Sequence, residues 1–184
     1  KAYEVPELSR TARGTPIVNL IQIEPGEYVA AVIPVKEFRE DTYLLFGTRS
    51  GLVKRTPLME YENIRKGGLQ AIHLRDEDEL VGVCMTDGRK DVLMVTRQGM
   101  SIRFPEEEVR PMGRVATGVK GIQLVPSDWV VGMDLIQEGE DVLVVTKRGY
   151  GKRTPVSEYR VQGRGGKGIK TLNVTPKNGE IVAV

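Results

Sequence analysis

The chain has 184 residues, enough for one ordinary domain with a sizeable core, and its 40% hydrophobic and 28% charged content is that of a globular protein. A single cysteine, Cys84, and a single histidine, His73, exclude an internal disulfide and a four-ligand zinc site, and no apolar run is long enough for a signal peptide or a membrane span. The formal net charge is only +2, so any case for a polyanionic partner rests on how the charges are distributed.

Taken in chain order, the apolar segments predict short strands. AYEVPEL, from Ala2 to Leu8, puts Pro6 where Pro57, Pro105 and Pro155 stand later, so the chain opens on the last strand of a repeat unit. Alternating apolar residues predict a first strand at Ile17 to Ile23, and an acidic turn leads to a second at Tyr28 to Val35. TYLLFGT predicts a third strand, and the turn RSG a hairpin into a fourth, LVKRTPLMEY, from Leu52 to Tyr61. The order then recurs. First strands are predicted at Leu69 to Leu74, Ile122 to Val125 and Ile169 to Val174, and second strands at Leu80 to Thr86, Val130 to Ile136 and Ile181 to Val184. DVLMVTR and DVLVVTK supply third strands, and MSIRFPEEEV and YGKRTPVSEY fourth strands. With 21 glycines and 10 prolines, and no stretch free of both longer than 13 residues, there is little room for long helices, and the fold class is all-β.

Two anchors measure the repeat. Gly51, Gly99 and Gly149 precede the fourth strands at spacings of 48 and 50, and GTPIVNL, GLQAIHL, GVKGIQL and GKGIKTL begin at Gly14, Gly68, Gly118 and Gly166, with steps of 54, 50 and 48. A four-stranded unit with this period predicts propeller-like blades, about three and a half of them in an incomplete array. Unit boundaries fall near residues 14–67, 68–117, 118–165 and 166–184.

The stretch QGRGGKG, from Gln162 to Gly168, contains G-x-G-x-x-G, but IKTLNVT and the turn PKNGE follow it, and no helix can begin there to face a pyrophosphate. Lys167 is followed by Gly168 where a P-loop needs Ser or Thr. Two readings remain. The loop is a corner that needs left-handed residues, like its counterparts RKGGLQ and MGRVATGVKG. Alternatively, Gly163, Gly165, Gly166 and Gly168 let the backbone approach a phosphate that Arg164 and Lys167 neutralise.

Charge is unevenly spread. From Lys147 to Lys170 there are eight basic residues and one acidic, Glu158, while acids gather at the turn between first and second strands: Glu24, Glu27, Asp76 to Glu79, Asp128 and Glu180. Because these positions recur once per unit, they predict one acidic and one basic side. The candidate DNA-binding cations are Lys54, Arg55, Arg103, Lys152 and Arg153 on fourth strands, and Lys147 and Arg148 at a hairpin turn. Arg65, Lys66, Arg114, Arg164 and Lys167 in the glycine loops, with Lys120 and Lys170 just beyond them, complete the set. One histidine and one cysteine offer no convincing nucleophile–base set, so no catalytic centre, cofactor or metal is expected. Tyr61 and Tyr159 occupy matching positions and read as packing. Aromatics are only 5%, which favours a duplex backbone over stacked single-stranded bases.

The repeated GxxKRTPxxEY, the phrase FPEEEVRPMGRVATGVKGI and RGGKGIKTL together closely resemble the carboxy-terminal domain of the DNA gyrase A protein, over essentially the whole chain. The resemblance implies a β-pinwheel, whose blades exchange strands with their neighbours. It also implies a basic rim that binds double-stranded DNA without sequence preference and wraps it with positive handedness. That role supports ATP-dependent negative supercoiling by a type IIA topoisomerase built from a gyrase A dimer together with gyrase B, in the bacterial cytoplasm at the nucleoid. The related domain of topoisomerase IV is similar too, but RGGKG and the KRTP repeats favour gyrase. Gln162 to Gly168 is similar to the family's seven-residue box, Q-R-R-G-G-K-G, with Gly163 in place of the second-position arginine. Its place in the repeat order makes it an echo in a later blade, with the box itself expected upstream of Lys1. A propeller-type protein-interaction scaffold is the alternative; Gly67-Gly68 and Gly165-Gly166 suit kelch repeats, but Trp129 is the one tryptophan where each blade would need one.

Overall fold

A computed structural model describes residues 1–184. Three hairpins frame it: β1 (Tyr43–Thr48) with β2 (Leu52–Pro57), β4 (Asp91–Thr96) with β5 (Met100–Pro105), and β8 (Asp141–Thr146) with β9 (Gly151–Pro155). At their tips Gly51, Gly99 and Gly149 have φ of 83°, 90° and 79°, the left-handed conformation expected of these turns. An antiparallel strand extends each hairpin on one side: β3 (Leu80–Thr86) on β1, β7 (Val130–Ile136) on β4 and β11 (Ile181–Ala183) on β8. On the other side β6 (Val119–Lys120) pairs with β2, and β10 (Ile169–Lys170) with β5. The sheets therefore run β3-β1-β2-β6, β7-β4-β5-β10 and β11-β8-β9. There is no α-helix; single 3-10 turns follow Pro57, Pro105 and Pro155, and another spans Ile17–Asn19. β6, which follows the second hairpin, joins the first, and β10, which follows the third, joins the second, which is the strand exchange that the pinwheel resemblance implies.

Two expectations change. Of the predicted first strands, Ile169 to Val174 shrinks to its first two residues and Leu69 to Leu74 to the single bridge between Ala2 and Leu69, while Ile17 to Ile23 and Ile122 to Val125 do not form: Ile17–Asn19 is a 3-10 turn, and the segment on the free edge of β2 is Val119–Lys120. Beyond it the amides of Gly121 and Ile122 both turn to the carbonyl of Gly51, and Ile122 leaves the ladder to enter the core. The predicted strand Tyr28 to Val35 does not form, and Tyr28, Val29 and Val32 are exposed. Strands β3, β7 and β11 each pair with a hairpin that precedes them, and no hairpin precedes Tyr28 within residues 1–184.

The structure also moves one anchor. Gly68, Gly118 and Gly168 share positive φ, of 74°, 107° and 75°. A Cβ at Gly118 would stand 2.7 Å from the carbonyl oxygen of Val53, and one at Gly168 would overlap that of Ser101. The third equivalent glycine is thus Gly168 rather than Gly166, and only glycine lets the outer strand approach its neighbour.

Successive sheets stack face to face, and alternation sorts each strand between two interfaces. Leu45 and Val53 of the first sheet meet Val92, Met94, Ile102 and Phe104 of the second. The opposite face of the second, Leu93 and Val95, meets Val142, Val144, Val156 and Tyr159 of the third. Leu44, Phe46, Leu58 and Tyr61 form a smaller cluster against Ala2, Ile33 and Ile64. Replacing Met94, which is fully buried between the first two sheets, with alanine should cost about 2–5 kcal/mol. Leu143→Ala, at a position 55% exposed on the far face of the third sheet, should cost under about 0.5 kcal/mol. Urea midpoints of the two variants check the contrast, and equal losses would contradict the stacked-sheet core.

Candidate nucleic-acid interface

The fourth-strand cations are the first to be placed, and three of them leave the candidate set. Lys54 is wholly buried; its Nζ donates to the carbonyls of Ala71 and Arg114, the latter at 2.5 Å, and sits 5.0 Å from the centre of the Phe46 ring. Arg55, 8% exposed, lies over the Tyr43 ring at 4.8 Å. Arg103 is fully engaged: Nε donates to Asp91 at 2.7 Å, Nη2 to Glu138 at 2.6 Å, and Nη1 to the carbonyls of Val156 and Tyr159, both at 3.1 Å. These three were expected to face DNA. They point inward because β5 is covered on both faces by neighbouring sheets, β2 on one face by the second sheet and on the other by the segments around Ile33, Ile64 and Ala71, and their outer edges by β6 and β10. Lys152 and Arg153 hold the same positions on β9, but no strand covers its outer edge and both are exposed. Lys152 still donates to the Thr171 carbonyl, and Arg153 lies 3.4 Å from Asp141.

The glycine loops run along the outer edges of the sheets. In the Gln162–Gly168 loop the Gln162 amide donates to the Arg103 carbonyl at 2.8 Å and the Gly165 amide to that of Gly121 at 2.7 Å. Gly165 has φ of 82°, and with Gly168 it makes this stretch a true corner. Gly163 differs: its φ is not left-handed and a Cβ there would meet nothing within 4 Å. Lys167 is exposed in the loop, and Lys120 and Lys170 are exposed at the second positions of β6 and β10. Arg65 and Lys66 are exposed in the first loop. None of these five forms an ion pair. Arg114 and Arg164 are half-buried: Nε of Arg114 lies 3.8 Å from Glu60, and Arg164 donates Nε to the Glu108 carbonyl at 3.3 Å and Nη1 to that of Lys120 at 2.5 Å.

The hairpin tips carry the acidic side. Asp78 accepts from the Ser50 amide at 2.8 Å and Asp128 from the Gln98 amide at 3.1 Å, while Glu79 pairs with Arg49 at 3.2 Å and Glu180 with Arg97. Lys147 and Arg148 are exposed at the third tip, where the Lys147 amide donates to the Glu180 carbonyl; they belong to this acidic end and not to the outer edge. Two features were missed. Arg110 and Arg160, each just past a 3-10 turn, are exposed and unpaired; their equal offset from Val109 and Tyr159 was available as a repeat signal. Trp129 is sandwiched between Arg49 at 4.4 Å and Arg97 at 4.1 Å, which joins the first two tips; nothing in the spacing announced it.

The chain matches the model of the DNA gyrase C-terminal domain, beta-propeller, over residues 1–36, 42–83, 90–137 and 140–184. It belongs to that family. The DNA gyrase A protein of Halalkalibacterium halodurans is 60% identical over 121 residues, 66% of this chain and 14% of that protein. Its counterpart from Haemophilus influenzae is 45% identical over a stretch of the same length. A crystal structure of the C-terminal domain of DNA topoisomerase IV superposes with a TM-score of 0.88 at 34% identity, covering 97% of this chain and 56% of that one. A gyrase A C-terminal domain gives 0.79 at 26% identity, with 92% and 57% covered. The chain thus spans about 14% of these curated relatives' length and somewhat over half of the solved domains.

Within this gyrase-family domain the buried Lys54 has a titration consequence. Burial first, and the nearby Arg114 charge second, lower its amine from 10.5 to about 8, with Glu60 partly opposing. Tyr61, whose hydroxyl donates to the Ala71 carbonyl at 3.2 Å, is pushed up to about 12 by burial. Between pH 8 and 10 the unfolded chain keeps a Lys54 proton that the folded chain has released, so stability rises with pH, by on the order of 2 kcal/mol. Above pH 10 the unfolded tyrosine ionises before the folded one, and stability falls again. In the second sheet the equivalent residues are Ile102 and Val109, both fully buried. The double variant Lys54→Ile/Tyr61→Val copies that apolar solution and should lose the rise and the fall. Urea midpoints of both proteins from pH 7 to 11 test this; parallel curves would refute it.

Proposed function

We propose that this chain binds duplex DNA along its outer edge without reading sequence, and that in a complete gyrase A protein it forms part of the surface around which DNA is wrapped for ATP-driven negative supercoiling. The carrying observation is the recurrence of exposed cations free of ion pairs at equivalent outer-edge positions, Lys120 on β6 and Lys170 on β10, with Lys167 exposed in the loop that leads into β10. Backbone charge, and not base edges, is what such point cations recognise. Family membership supports the same reading, whose setting we propose to be a gyrase A dimer working with gyrase B in the bacterial cytoplasm. The superposition on a topoisomerase IV domain supports a second reading, the equivalent role in that enzyme. Negative supercoiling of relaxed plasmid by the parent enzyme separates the two.

Bending costs on the order of 1–6 kcal/mol for a short site, so each lost phosphate contact weakens wrapping. The 184-residue chain alone should therefore trap little writhe in nicked and religated plasmid, and a version extended upstream by a blade should trap more. For plain affinity, alanine at Lys120, Lys167 or Lys170 should each flatten the log-log salt slope by about 0.9. Gly163→Arg fills open space with a further cation and should steepen it by about as much. Filter binding of a short duplex across a salt series measures these slopes; salt-independent affinity would sink the proposal.

A further inference from the structure

Arg164 was expected to touch phosphate, yet its geometry serves something else. We infer that Arg164 is a positioning residue that pins the Gln162–Gly168 loop to the sheet before it, and so sets the spacing between the cations of neighbouring blades. This rests on the DNA-binding reading of the outer edge.

Three bonds carry the inference. The Arg164 amide donates to Glu108 Oε2 at 2.7 Å, Nε to the Glu108 carbonyl at 3.3 Å and Nη1 to the Lys120 carbonyl at 2.5 Å. Glu108 belongs to the 3-10 turn of the second sheet, and Lys120 is the last residue of the outer strand of the first. One guanidinium therefore ties two sheets while its own loop leads into β10. The tie is continued by backbone: Gly165 donates to Gly121 at 2.7 Å, and Gln123 to Gly166 at 2.8 Å. Lys120 stands on one side of this seam, and Lys167 and Lys170 on the other, all exposed.

The preceding seam is tied differently, which shows that the pin is a local solution. There Lys54 donates to Ala71 and to Arg114, residues of two successive loops. In the second sheet Ile102 replaces that lysine and can donate nothing. Gly121, the counterpart of Ala71, takes the Gly165 amide instead, and the Arg164 side chain supplies the second link. Arg114, fifty positions before Arg164, makes no such carbonyl bond with its side chain. An arginine is required because two carbonyls in different directions need a rigid fork of donors, which a lysine ammonium on a flexible stem does not provide.

A fixed spacing matters only when one duplex engages both sides of the seam, where the second contact becomes intramolecular. The test compares wild type, Arg164→Lys and Arg164→Gln on duplexes of about 10 and about 30 base pairs, with a salt series on each. Wild type should gain about tenfold or more in affinity per site on the longer duplex, and both variants should lose most of that gain while keeping the short-duplex salt slope. Near-ultraviolet circular dichroism from Trp129 establishes that each variant is folded; Arg164→Lys keeps charge and stem, so it carries the test if Arg164→Gln does not fold. If Arg164→Lys matches wild type and Arg164→Gln loses about 0.9 in slope on both duplexes, Arg164 is a phosphate contact and the inference falls. Variants equal to wild type at both lengths also overturn it. Wild type without salt-dependent binding at either length defeats the DNA reading itself, and the pin with it.

Discussion

The rest of the structure depends on how the outer edge of each sheet is closed. A hairpin plus one strand leaves a row of unpaired backbone groups, and here two residues of a later repeat cover it, Val119–Lys120 on β2 and Ile169–Lys170 on β5. Gly118 and Gly168 make the approach possible, since any side chain there would strike the strand being covered. The loop that precedes each of these glycines has to travel along the rim to reach its place. Basic residues in that loop and in the covering strand are thereby displayed on the outside, one set per blade, without a dedicated binding element.

Closure of the edge and stacking of the faces also turn several cations inward. A charge left unpaired in such a place is costly, and each one is met by carbonyls, carboxylates or an aromatic face. Lys54 finds two carbonyls, Arg103 two carboxylates and two carbonyls, and Arg55 the Tyr43 ring. Arg103 reaches from β5 to the 3-10 turn of the third sheet, so this buried cation is also a blade-to-blade contact. Where the second sheet uses Ile102 and Val109, the polar set is replaced by a smaller apolar one, a swap that removes the lysine and tyrosine donors together.

At the other end of the hairpins, Trp129 between Arg49 and Arg97 laces the first two tips, and Glu79 and Glu180 hold those arginines in place. Each cation–π contact is worth about 0.5–2 kcal/mol. The acidic turns are thus occupied with the tips of their own sheets, away from Lys120, Lys167 and Lys170, which form no ion pair.

Much of this was legible in the sequence because it is local. Period-2 alternation placed β1 to β5 and β7 to β9, the glycines of RSG, RQG and KRG gave the hairpin tips, and the fifty-residue recurrence gave the blades. The phrases around KRTP and RGGKG sufficed for the family, which the match along the chain bears out. The direction in which a cation points is not local. Lys54 and Lys120 are both basic residues on short, directly paired strands, yet one is sealed against the Phe46 ring and the Ala71 and Arg114 carbonyls while the other stays exposed, and only the packing of distant repeats distinguishes them. The same holds for QGRGGKG: its glycines announced a corner, but whether Arg164 faces outward or grips the Lys120 carbonyl was decided by a neighbour forty-four residues earlier in the chain. Sequence by itself determined the strands, the turns and the repeat, since each follows from residues a few positions apart. Tertiary structure decided which cations reach the surface, because burial is set by the edges and faces that other repeats come to cover.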